Sequence, residues 1–274
     1  MRNARHTYQA AALIALLSVW GCSTEPTAPS NTNTAPAPVE VKKSGDLLGV
    51  YDPATSTYML SAAEAGAQPL TFIYGGTGFV PIAGDWDGDG KDSISAYFPA
   101  TGTFFLTNRN APGDAALSFT FGGPNMVPIA GDWDGDGKDS VGIYFALTGS
   151  FFLTDRNAPG NATASFVFGG PNMVPIAGDW DGDGKDSVGI YDAKAGTFFL
   201  TNTNATATAA LSFPFGAPGG LPIAGDWNGD RTDTVGVYDA KTGNFYLSDK
   251  NAVGDAAGAT AFGGPSKVPI AGRW

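Results

Sequence analysis

The sequence predicts an all-β fold: a five-bladed β-propeller of 47-residue, four-stranded blades, its first blade closed by the C-terminal strand. Three observations lead there. "PIAG" begins at Pro81, Pro128, Pro175, Pro222 and Pro269, a constant step of 47 residues, and repeats of about 40–50 residues are those of propeller blades. Each unit holds four strand-length apolar runs, such as "VPIAGDW", "SVGIYD", "GTFFLTN" and "ASFVFGG". They are rich in Val, Ile, Phe, Tyr and Thr and separated by turn residues. Finally, one unit is split between the two ends. The repeats open at Asp46 with "DLLGVYD", the counterpart of a second strand, and close with "VPIAGRW", a first strand with nothing after it. Pairing the two ends makes a fifth blade and removes a free sheet edge.

The elements follow in chain order. Residues 1–21 read as a lipoprotein signal peptide. Arg2, Arg5 and His6 form a positive start, and an apolar run over residues 10–19 is too short to span a bilayer. Gly21 then precedes Cys22, the only cysteine. An exported chain rarely keeps one free thiol without a use, so Cys22 is expected to be lipidated and to anchor the protein in a membrane. The segment resembles a bacterial lipobox, although Trp20 is unusual there. Ser23 after the cysteine is similar to Gram-negative lipoproteins of the outer membrane, which implies a cell-envelope location, at the outer membrane or cell surface. Residues 22–44 are rich in Thr, Pro, Ala and Asn and bury no core, so they are expected to act as an extended tether. The propeller occupies residues 45–274.

The net charge is −11, yet the acidity is local. Loops over residues 84–93, 131–140, 178–187 and 225–234 hold four, four, four and three aspartates, more than half of the 26 acidic residues. No basic footprint for nucleic acid is present. Three loops read "GDWDGDGKDS"; the fourth reads "GDWNGDRTDT". Alternate carboxylates in a tight turn converge on one point and repel unless a cation neutralises them. Ca²⁺ takes about 6–8 hard oxygens and tolerates irregular geometry, whereas Mg²⁺ insists on an octahedron. Calcium ligands are therefore expected at Asp85, Asp87, Asp89 and Asp92, at Asp132, Asp134, Asp136 and Asp139, and at Asp179, Asp181, Asp183 and Asp186. The fourth loop offers Asp226, Asn228, Asp230 and Asp233. Asn228 there is uncharged and Arg231 takes a glycine position, so three good sites and one weak one are expected. The competing reading makes these aspartates plain turn formers.

The combination of "FGG" or "FGA", "PIAGDW" with its aspartate loop, and "DSVGIYD" resembles the FG-GAP/VCBS repeat family, which includes the integrin-α propeller. The resemblance covers residues 46–274. It implies Ca²⁺ in the hairpin between the first two strands of a blade, with Asp85, Asp87, Asp89, Gly90 and Asp92 standing for the family's loop, and likewise in the next two copies. The last aspartate comes one residue early here.

Trp86, Trp133, Trp180, Trp227 and Trp274 recur once per blade beside the loop. They are read as packing between blades rather than as sugar-stacking platforms. The polar stretches 108–114, 155–161 and 202–208 are the better ligand candidates, though such loops are more often plain turns. His6 is the only histidine and falls in the signal peptide, which excludes Ser-His-Asp and Cys-His catalysis in the mature chain. Glu64 is the one glutamate in the repeats, leaving little for a carboxylate-pair glycosidase. The expected function is a non-catalytic, calcium-binding lipoprotein for adhesion or for binding protein or glycan. The alternative is a carbohydrate-active hydrolase or lectin domain.

Overall fold

The computed structural model describes residues 45–274; the expected signal peptide, Cys22 and tether lie outside the described residues. Twenty strands form five four-stranded antiparallel sheets. Blade 1 contains β1 (Leu47–Asp52), β2 (Thr57–Leu60) and β3 (Leu70–Ile73). Blade 2 runs β4 (Val80–Gly84), β5 (Ser93–Phe98), β6 (Thr103–Leu106) and β7 (Leu117–Thr120). Blade 3 runs β8 (Val127–Gly131), β9 (Ser140–Phe145), β10 (Ser150–Leu153) and β11 (Ala164–Val167). Blade 4 runs β12 (Val174–Gly178), β13 (Ser187–Asp192), β14 (Thr197–Leu200) and β15 (Leu211–Pro214). Blade 5 runs β16 (Leu221–Gly225), β17 (Thr234–Asp239), β18 (Asn244–Leu247) and β19 (Gly258–Ala261). The last strand, β20 (Val268–Gly272), returns to blade 1 and lies against β1, with Leu47 opposite Gly272 and Tyr51 opposite Val268. The two ends of the described chain thus complete one blade, as the split repeat predicts.

The inner strands β4, β8, β12, β16 and β20 neighbour one another in a closed ring. The second strand of each blade has apolar side chains on both faces and is buried along most of its length, so each blade must be covered on both sides. Neighbouring blades supply the cover. Tyr144, Phe151 and Phe166 of blade 3 form one cluster with Val188 and Ile190 of blade 4. Within a blade the aromatic rings stack in sequence, Tyr144 on Phe151 at 4.6 Å and Phe151 on Phe166 at 5.6 Å, distances typical of favourable ring pairs. The tyrosine of each second strand donates its hydroxyl to the chain leaving the blade, as Tyr144 does to the Gly170 carbonyl at 2.8 Å. The outer strands β3, β7, β11, β15 and β19 remain largely exposed.

Candidate metal loops and the ring of inter-blade clasps

The aspartate loops join the first and second strands of blades 2 to 5, all on the same end of the ring. In blade 2 the first aspartate organises the turn. The Asp85 carboxylate accepts hydrogen bonds from the N–H groups of Gly88 at 2.7 Å, Asp89 at 3.1 Å and Gly90 at 2.7 Å. Gly88 and Gly90 take positive φ, 78° and 82°, a conformation that glycine adopts without steric cost. The turn brings one carboxylate oxygen each of Asp85, Asp87 and Asp89 within 4.8 Å of one another. The same triad forms at Asp132, Asp134 and Asp136 and at Asp179, Asp181 and Asp183. Each could chelate one divalent ion, matching the three good sites expected. In every triad the first aspartate is half-buried and the other two are exposed. The first sets the geometry while the exposed pair keeps free lone pairs. In blade 4 the Asn202 amide also reaches Asp181, at 2.7 Å.

The fourth loop keeps the scaffold and loses one carboxylate, at Asn228. Asp226 still accepts from Gly229, Asp230 and Arg231. Arg231 occupies the position of Gly90 at φ 74°, the strained conformation that the sequence implied. Asn228 donates to the Asp230 carboxylate at 2.9 Å, occupying an oxygen that would otherwise face an ion. Arg273 adds a fixed cation, 3.8 Å from Asp226 and 3.4 Å from Asp46.

The structure does not bring the fourth aspartate of each loop into its triad. Asp139 reaches the preceding blade instead, where its carboxylate accepts the Asp85 N–H at 2.8 Å, while its own N–H donates to the Asp85 carbonyl at 2.8 Å. Asp186 clasps Asp132 and Asp233 clasps Asp179 in the same two-bond pattern. The ring is completed by Asp46 on Asp226 and by Asp92 on Arg273. Placement of Asp92, Asp139, Asp186 and Asp233 therefore follows from the backbone N–H of a neighbouring blade, which takes one carboxylate oxygen of each. Their early position in the loop, one residue sooner than in the FG-GAP/VCBS pattern, puts them at the start of the second strand, beside the end of the preceding blade's inner strand.

These acids crowd the mouth of the central channel. A cavity of about 270 Å³ there is lined by Asp46, Asp92, Asp139, Asp186 and Arg273 together with Asp85 and Asp132. Burial pushes the Asp139 carboxyl up to about 6 and the Asp233 carboxyl up to about 7, and neighbouring carboxylates add to the rise. Burial, then the nearest carboxylates, hold Asp92 and Asp186 well above the usual range.

Two features lay outside the expected site. One is the part of Asp46 and Arg273 in the clasp ring. The other is an asparagine bracket: Asn110 donates to the Asp92 carbonyl at 2.9 Å and accepts the Ile94 N–H at 2.8 Å. Asn157, Asn204 and Asn251 repeat it. Its signal is an asparagine 18 residues after each of Asp92, Asp139, Asp186 and Asp233. The bracket gives a structural role to loops expected to hold ligand. The tryptophans pack between blades as expected: Trp133 and Trp180 are buried, and Trp86, Trp227 and Trp274 lie against the apolar clusters.

No family model matches the chain, and no curated protein matches it. Among solved structures, it is similar to a lectin of Agrocybe aegerita described as specifically recognising non-reducing terminal N-acetylglucosamine. That match has a TM-score of 0.41 at 14% identity and covers 80% of this chain and 63% of the lectin.

Proposed function

We propose that the protein is a non-catalytic binding module of the cell envelope: a calcium-loaded FG-GAP/VCBS-type propeller, carried on a tether from a lipid at Cys22, for adhesion or for binding protein or glycan. The observation that carries this reading is the threefold recurrence of one preorganised acidic triad on a rigid ring. Calcium there neutralises charge that the fold otherwise concentrates at one end. It holds the loops of three consecutive blades in one conformation, which suits presentation of a repeated surface. No helix among the described residues is long and apolar enough to cross a membrane. The mature chain offers no histidine and no free thiol for nucleophilic catalysis.

The test is capture. Residues 45–274, immobilised in 2 mM calcium chloride (a concentration of about the weakest dissociation constant expected of extracellular sites), are exposed to a glycan array and to envelope and host-surface proteins. Calcium-dependent retention of a ligand released unchanged supports the reading. Chemical turnover of a retained glycan would replace it with the hydrolase alternative.

A further inference from the structure

One position in the repeat takes four different residues across the five gaps, and it sets how much space is left between adjacent blades. It is Phe79 between blades 1 and 2, Met126 between blades 2 and 3, and Met173 between blades 3 and 4. It becomes Gly220 between blades 4 and 5, and Lys267 between blades 5 and 1. Phe79 stacks on Phe98 at 4.9 Å and meets Phe105 at a tilt at 5.5 Å. Met126 and Met173 pack against the apolar clusters of their gaps. Lys267 pairs with Asp52 at 2.8 Å. Gly220 puts nothing in. Ile143 and Ile190 of the two methionine gaps are also replaced here, by the shorter Val237.

The result is a pocket of about 570 Å³, against about 310 and 290 Å³ for the two methionine gaps. Phe215, Val237 and Tyr246 form its apolar wall, and Asp239, Lys241 and Asp255 stand at its rim. Its volume falls within the range of small-ligand pockets. Lys250 stands beside the lining Gly254, so the mouth carries both signs of charge, but among the described residues no cation lies within ion-pair distance of Asp239 or Asp255, which leaves both carboxylates open to a base.

We infer that this gap is a socket for an apolar side chain, methionine- or phenylalanine-like, presented by a partner polypeptide next to a lysine or arginine. The chain itself shows what fits, because its sister gaps are narrowed by a thioether or a phenyl ring. The rim supplies two carboxylates, Asp239 and Asp255, that a flanking base can pair with. The inference rests on the reading of the propeller as a binding module, but the socket needs neither calcium nor the native partner.

The experiment titrates residues 45–274 with acetyl-Phe-Arg-amide, acetyl-Phe-Glu-amide and N-acetylglucosamine, following aromatic and methyl NMR shifts. Saturable binding of the Phe-Arg probe is expected, centred on Phe215, Val237 and Tyr246, with the Phe-Glu probe weaker. A Cβ at Gly220 would sit 2.2 Å from Val237 Cγ1, a branch that isoleucine would keep, so the filled variant is Gly220→Phe with Val237→Ala, the pair present as Phe79 and Ala96 in the first gap. It should weaken the Phe-Arg probe by about tenfold or more, as loss of a buried anchor does. Asp255→Lys, on the rim, should erase the preference for arginine over glutamate. The shift map on the unaltered protein decides the question if the filled variant does not fold. No saturable binding, equal binding by the filled variant, or sugar binding in place of the peptides would overturn the inference. Loss of the socket alone leaves calcium-dependent capture intact, so the two readings fail separately.

Discussion

Asp139 and Asp85, in adjacent blades, exchange two hydrogen bonds of 2.8 Å: the Asp139 carboxylate accepts the Asp85 N–H, and the Asp85 carbonyl accepts the Asp139 N–H. Asp139→Ala leaves a half-buried N–H without its acceptor, a loss of about 1–3 kcal/mol in denaturant unfolding. Asp139→Asn keeps an acceptor oxygen and should cost much less. Because Asp139 faces the clasp, Asp139→Asn should also leave calcium stoichiometry at three. Calorimetric loss of an ion in that variant would place Asp139 in the coordination sphere.

The carboxyls at the channel mouth make stability depend on pH. Asp139 titrates at about 6 and Asp233 at about 7 in the folded chain, against about 3.9 when unfolded. The folded state therefore holds more protons across this window, so stability rises as pH falls from 8 to 5 and declines as pH rises through 6 and 7. No histidine titrates within the propeller. In chelator, melting should be higher at pH 5.5 than at pH 8, and Asp233→Asn should flatten the slope. A melting temperature that climbs with pH would contradict the crowding of these acids.

Calcium should bind three sites. Dissociation constants of about 10⁻⁴–10⁻³ M are expected, as in extracellular modules, because no bidentate glutamate closes the loops. Saturation should stabilise by about 1 kcal/mol per site once calcium exceeds its dissociation constant several-fold. Asp87→Ala, Asp134→Ala and Asp181→Ala should each remove one ion from a calorimetric titration, and Asn228→Asp with Arg231→Gly should add one. A melt indifferent to both calcium and chelator would leave the aspartates as turn formers.

The fifth seam depends on the strand Val268–Gly272 and on Arg273. Removing residues 268–274 takes the inner strand from blade 1 and the Asp92 clasp from the ring, and exposes the β1 edge. Aggregation or a much lower melting temperature should follow, read by size-exclusion chromatography and calorimetry. Arg273→Gln keeps the backbone clasp but removes the cation beside Asp46 and Asp226, and should give a smaller decrease. An unchanged melt on deletion would be incompatible with a closed ring.

Cys22→Ala should release the protein from membranes and abolish labelling by a fatty-acid probe in cell fractions. Retention in the membrane fraction would mean that something other than Cys22 holds it there.

Much of this architecture was legible in the residues. The invariant 47-residue step marked the blades, and the unmatched "VPIAGRW" marked the shared one, because an apolar first strand needs a second strand beside it. The triads were legible too, since alternate aspartates with glycine between them leave the turn few other conformations. The fourth aspartate was not. Within one repeat Asp139 lies close to Asp136, and only the curvature of the ring brings it to Asp85, 54 residues away in the chain. Asp46 and Arg273 were hidden for the same reason: their partners Asp226 and Asp92 lie 180 and 181 residues away. The emptied gap at Gly220 shows only when its counterparts Met126 and Met173 are seen filling theirs.

The pairing of β1 with β20 also sets the order in which the molecule can be made. Blades 2 to 5 join strands that are consecutive in the chain, so each can form as soon as its own residues are available. Blade 1 pairs Leu47 with Gly272, so its first three strands wait through the synthesis of nearly the whole array with β1 unpaired on its inner side. The entropic cost of that closure grows only logarithmically with chain length. The burden therefore falls on the lifetime of the waiting state. Until the final strand emerges, the nascent array carries an open β1 edge able to pair with another chain, and the last seven residues determine how long that edge stays open.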